Sequence, residues 1–176
     1  MSCGLMLSPL CEALDQGLIL IEALDDASFT TRIPKAFNAS IGAHYRHCLD
    51  HFGSLLEGID DGFIDYDARK RDPILETDRS AAAEMTQLLQ QRAEKLDQAC
   101  FKKSVRIRCK ISYESQEVPT LDSRVDREIM FCISHAIHHY ALISMMCRLL
   151  EIPLPEGFGI APSTIKHQRE TATSAA

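Results

Sequence analysis

The sequence lacks a CxxC pair and any regular cysteine spacing, although it holds seven cysteines, at positions 3, 11, 48, 100, 109, 132 and 147. Such an odd, scattered set reads as reduced, mostly buried small hydrophobes, and it argues against a disulfide scaffold or a zinc knuckle. There is no positively charged start followed by an apolar core and a small-residue cleavage site, and no run of about 18 apolar residues. These absences point to a cytoplasmic protein with no membrane partner. Positive charge is in short supply, with 19 basic against 25 acidic side chains and a net charge of -6. The average field therefore repels polyanions, and nucleic acid is a poor partner. No internal repeat is present.

Hydrophobic residues make up 45% of the chain and charged residues 25%, which is ordinary for a soluble globular protein and excludes wholesale disorder. A length of 176 residues suits one domain, taken to span 1–165 with a flexible tail over 166–176. One local exception to the charge balance is KKSVRIRCK, Lys102 to Lys110, where Arg106, Arg108 and Lys110 alternate with Val105, Ile107 and Cys109. The favoured reading is the solvated face of a short strand; the sharper one is a landing patch for an anionic small molecule.

Leu10, Leu14, Leu18 and Ile21 recur at spacings of three and four, which predicts a first helix over about 8–24. Asn38 or Ser40 caps a second, running to about Gly58 and burying Ile41, Cys48, Phe52 and Leu55. The segment DDGFIDYDARKRDPILETD has no sustained period and reads as a long connection, a feature that is often functional. A third helix begins behind Asp78 and carries Met85, Leu88, Leu89, Leu96 and Cys100 in register. Val105 to Tyr113 alternate as a strand, with EVPT as a short partner held to an edge by Pro119. The fourth helix, the longest and most apolar, has a capping-box candidate in Ser123 and Asp126 and a stripe through Ile129, Cys132, Ile133, Ile137, Tyr140 and Ile143. The expectation is an all-α four-helix bundle with a small β-hairpin between the third and fourth helices.

Six of the seven histidines fall on two of these helices. At about 100° per residue, His135 and His139 in SHAIHHYAL lie about 40° apart on one face, a turn apart in height. Two imidazoles so placed can grip one metal ion, as in the zinc-protease motif HExxH. Here Ala136 stands where that motif has its glutamate base, which excludes a peptidase of that type. In IGAHYRHCLDHF, His44, His47 and His51 fall within an arc of about 60°. A lone histidine on an apolar face is usually a hydrogen-bonded core or surface residue. Two clusters on separate helices favour a metal, because stacking unpartnered imidazoles costs about 1 to 3 kcal/mol each in desolvation, and bundle cores are where ligands from facing helices assemble.

These residues resemble the DinB/YfiT-like family of metal-binding four-helix bundles. HCLD, His47 to Asp50, matches that family's second-helix histidine and acid; HAIHH, His135 to His139, matches its later HxxxH; GFGIAPST, Gly157 to Thr164, looks like the tail of many members. The resemblance follows helix order over essentially the whole chain. It implies His47, His135 and His139 as metal ligands, with His44 and His51 flanking His47 and able either to replace it or to orient a substrate. It also implies a class of activities in which the metal activates a low-molecular-weight thiol in transferase or isomerase reactions, and a homodimer.

Asp50, three residues after His47, is a candidate hydrogen-bond partner for a ligand imidazole; Glu128 reads as a solvated helix-face charge. For His138, a packing or interface role is expected, and for Cys48 and Cys132, core packing. Three neutral imidazoles leave an open position on an ion and accept zinc or nickel first, iron or copper next. The leading expectation is a metal-dependent, thiol-dependent S-transferase or related thiol-using enzyme acting on a small molecule, with a low-molecular-weight thiol as co-substrate and no catalytic group identified beyond the ligands. For the Tyr66 to Asp72 loop, with Arg69, Lys70 and Arg71, the two readings are a recognition site for anionic groups and an ordinary charged connection. The alternatives are a non-catalytic metal-binding or interaction bundle and a hydrolase using bound hydroxide.

Overall fold

The computed structural model describes residues 4–174; Cys3 and the last two positions of the expected tail lie outside the described residues. The first long helix, α1 (Gly4–Ala23), is followed by a one-turn helix, α2 (Asp26–Thr30). Ser40, rather than Asn38, caps α3 (Ile41–Asp61) by accepting a hydrogen bond from the Ala43 amide at 3.0 Å. Gly62 ends α3 with a left-handed φ of 68°, a conformation that costs glycine nothing.

The chain then turns into β1 (Phe63–Asp65) and a short α4 (Ile74–Thr77) before α5 (Arg79–Glu94). Asp78 caps α5 as expected, accepting from the Ala81 amide at 3.0 Å. A 3-10 turn over Gln98–Lys102 leads into β2 (Ser104–Arg108), β3 (Thr120–Arg124), α6 (Val125–Leu149) and α7 (Pro162–Ser174).

Leu10, Leu14 and Ile21 of α1, Tyr45, Phe52 and Leu55 of α3, Leu89 of α5, and Ile129, Tyr140 and Ile143 of α6 are all buried. Each such apolar side chain contributes about 1.5 to 3 kcal/mol relative to exposure. The long helices meet in the pairs α1 with α5, α5 with α3, α3 with α6 and α6 with α1. By length and composition alone, α6 would be long and apolar enough to cross a membrane, although polar residues interrupt its apolar run. Here one side of it packs on α1 and α3.

The expected all-α four-helix bundle is corrected by this architecture. The described residues form seven α-helices and a three-stranded mixed sheet in the order β1-β2-β3, so the fold is mixed α/β. The β2–β3 pair is the anticipated hairpin, antiparallel with Val105 opposite Ser123. Its partner strand lies mainly after EVPT, and Ile111 and Tyr113, expected in the first strand, are exposed in the connection.

The addition is β1, which pairs parallel to β2 with Ile64 opposite Ile107. Three residues carry no readable period, so β1 is hidden inside the stretch read as a connection. Its place depends on Gly58, where a Cβ would come within 2.5 Å of the Phe63 carbonyl oxygen. The Ser123–Asp126 capping box does not form: Arg124 is the N-cap, without a side-chain cap bond. Residues 166–174 continue α7, none of whose residues is buried.

Candidate metal centre

The α3–α6 pair brings the two histidine clusters face to face. His47 Nε2 lies 2.9 Å from His135 Nε2, and His44 Nδ1 lies 3.0 Å from His139 Nδ1. Ring centroids are 4.5 Å apart for His47 and His139, 4.7 Å for His135 and His139, and 5.0 Å for His47 and His135. His51 is buried, its ring 4.2 Å from that of His135. One potential ligand atom from each of His47, His135 and His139 lies within 4.8 Å of the other two.

The same burial decides the charge of the cluster. Desolvation, followed by the Arg69 guanidinium and His135, pushes His47 down to about 3. Burial and the His47 ring do the same to His139, also to about 3, and burial and His135 push His51 down to about 2. His44 and His135 are lowered by burial and by the nearby His138. At neutral pH these rings are uncharged, each with one lone-pair nitrogen, the protonation state a metal requires.

The donor set fits a transition ion. Two nitrogens bound at about 2 Å to a shared ion lie no more than about 4 Å apart, and the ligand atoms of the triad all lie within 4.8 Å of one another. His44 Nε2 and His51 Nδ1 are buried without a hydrogen-bond partner, an arrangement that costs about 1 to 3 kcal/mol per group. These neighbours sit beside the triad with coordinating or hydrogen-bonding capacity to spare.

Three further groups shape the site. Asp50 is buried but touches no imidazole: its Oδ2 accepts from Arg46 Nη1 at 2.7 Å, while Arg46 Nε donates to Glu76 at 3.2 Å. His138 is exposed, its ring 5.3 Å from that of His139; His167 lies on α7, also exposed. Arg69 folds over the cluster from the loop after β1, and its Nη1 donates to His47 Nδ1 at 3.2 Å and to His51 Nε2 at 2.5 Å.

Sequence reasoning placed Arg69 in a charged loop, with recognition of anionic groups as one of its two readings, and did not bring it to the histidines. Contact with the histidines requires β1 to fold back along α3, which no local pattern announces.

Glu128 requires a correction. Expected as a solvated charge, it is fully buried and accepts hydrogen bonds from Ser123 Oγ at 2.5 Å, Arg127 Nη1 at 2.8 Å and the Tyr66 hydroxyl at 2.9 Å. A readable signal existed: Glu128 sits three residues after Val125 and four before Cys132, on the inward stripe of α6. Tyr66 also stacks on His51 with centroids 5.3 Å apart, joining this network to the histidines. Cys132 lies against the Tyr66 hydroxyl at 3.5 Å. Burial pushes its thiol up to about 12 and raises Cys48 as well, so both act as packing groups.

No family model matches the chain, and no solved structure matches it. Among curated proteins, FK506-binding protein 5 of Rhizopus delemar is 34% identical over 104 residues, which is 59% of this chain and 27% of that protein. The chain thus spans about a quarter of the length of the curated relative it matches, too little to assign a family. Nothing in these comparisons supports the DinB four-helix-bundle and transferase expectation, and the mixed fold conflicts with it. That expectation is set aside, and the likeness to DinB/YfiT-like proteins rests on the motifs alone.

Proposed function

We propose that His47, His135 and His139 hold one divalent transition metal, zinc or nickel before iron or copper, and that the chain is a metal-dependent enzyme using a low-molecular-weight thiol on a small molecule. The observation that supports this most strongly is the convergence of three uncharged imidazoles, with potential ligand atoms within 4.8 Å, on two packed helices. Such an ion, when bound, supplies a Lewis-acid centre that favours the deprotonated form of a thiol or water.

The protein's own contribution is positional. The α3 and α6 backbones hold the ligand rings, and His44 and His51 stand beside them to orient a bound molecule. Arg69 offers N–H donors at the edge of the cluster. Exposed Met130, Met145 and Leu149 along α6 suit a second copy of the chain, and a homodimer is the proposed assembly, to be read by light scattering.

The test is elemental analysis of protein purified without a histidine tag, followed by turnover assays on electrophile panels with and without added thiol. Bound metal, thiol-dependent turnover and loss of both in His135→Ala are expected. Turnover that needs no thiol would favour hydroxide chemistry. A bound metal without turnover would favour a non-catalytic site, and failure to bind any ion after reconstitution would end the proposal.

A further inference from the structure

Arg69 is a half-buried charge whose surroundings leave it uncompensated. Two nearby cations are paired, Arg46 with Asp50 and Glu76 and Lys70 with Glu57 at 2.8 Å. Among the described residues Arg69 makes no ion pair; its Nη1 reaches only the neutral rings of His47 and His51, and its Nε is buried without a partner. Asp50 and Asp67 act on it from a distance, while burial and Arg71 disfavour its charge. A guanidinium keeps its proton under such conditions. A desolvated cation without an anion is costly, and a two-pronged oxyanion is the partner its fork matches best.

Arg69 also lines a cavity of about 280 Å³ between α3, α5 and the loop after β1, with an apolar floor of Leu49, Leu75, Met85, Leu88 and Leu89. Arg69 is common to the cavity wall and the histidine cluster. Of the three carboxylates on that wall, Asp50 and Glu57 are engaged by Arg46 and Lys70, and Asp72 accepts from the Ile74 amide.

We infer that this cavity is the substrate-binding site and that Arg69 receives the carboxylate of a compact amphipathic acid, its apolar body lying on the leucine and methionine floor and its head beside the three histidines. The inference deepens the proposed function by naming a substrate class, and it rests on that reading for its catalytic meaning but not for binding.

Calorimetric titrations of the full chain, metal-free and zinc-loaded, test it with hexanoate, its neutral amide hexanamide, and inorganic phosphate. Hexanoate is expected to bind at least about tenfold more tightly than either other probe, the difference a charge-assisted fork makes over a neutral contact. Arg69→Gln is expected to erase that preference while leaving the circular dichroism spectrum and zinc stoichiometry unchanged.

A preference that survives in Arg69→Gln, equal affinity for hexanoate and phosphate, or no binding to either form overturns the inference. The metal-free arm keeps the two readings apart. Failure to bind zinc with the carboxylate preference intact defeats the metal proposal alone, and normal zinc binding without the preference defeats this one alone.

Discussion

Two polar clusters meet at Tyr66, and they are built on opposite principles. Around Glu128, a fully buried carboxylate receives three donors, from Ser123, Arg127 and Tyr66. Around His47, five imidazoles and a guanidinium crowd together with three buried nitrogens left unpartnered. A saturated network costs little to keep and much to open, whereas an unsaturated one stores its cost in the folded protein until something binds. The first arrangement suits the architecture, locking the start of α6 to the sheet and to the loop after β1. The second suits a site.

Breaking the saturated network gives the largest expected effect. Glu128→Ala removes the acceptor for three donors and is expected to cost about 3 to 5 kcal/mol, read from equilibrium urea unfolding. His135→Ala, by contrast, removes a half-buried ring from a strained set and should change stability by less than about 1 kcal/mol. Equal losses in the two variants would erase the distinction.

Next in size is the response to metal. Zinc at a hundredfold excess over its dissociation constant should raise stability by about 2.7 kcal/mol through preferential binding to the folded chain. Differential scanning calorimetry should show this stabilisation in wild type and in Glu128→Gln, and lose it in His139→Ala.

The histidines also set a pH dependence. His47, His51 and His139 are held neutral well below the ordinary histidine value of 6.5, so below that value the unfolded chain binds protons that the folded chain refuses. Metal-free stability is therefore expected to be level above about pH 6.5 and to fall as the pH drops toward about 3. Urea midpoints at pH 7 and pH 5 sample the upper part of that window. His51→Ala should shrink the difference, and midpoints that coincide in wild type would contradict the assignment.

Within the saturated network a smaller change is expected in Tyr66→Phe, which deletes one of the three donors to Glu128 and should cost about 1 to 2 kcal/mol. Zinc stoichiometry should stay as it is, because the phenol touches His51 by its ring and the ring remains. A loss of zinc in this variant would mean the two clusters are one.

Much of this was legible along the chain. The apolar period located α1, α3, α5 and α6, and two helix starts were announced by Asp78 and by the pair Asn38 or Ser40, of which the structure shows Asp78 and Ser40 as side-chain caps. What escaped was short or depended on partners. β1 is three residues long and exists because β2 lies alongside it. Glu128 sits on the inward stripe of α6, but the donors that let it be buried, from Ser123, Arg127 and Tyr66, come together only in the fold. Arg69 stood in a run of charges, and nothing local distinguishes a guanidinium in water from one folded onto imidazoles.

By itself, then, the sequence determined which faces of α3 and α6 carry histidines, because a helix repeats every 3.6 residues and spacing alone sets the face. Only the tertiary structure decided that the two faces meet, that Glu128 is inside, and that Arg69 rather than Asp50 touches the rings. Those outcomes depend on burial, which fixes the charge and the hydrogen-bonding needs of every group, and burial is a property of the packed chain as a whole.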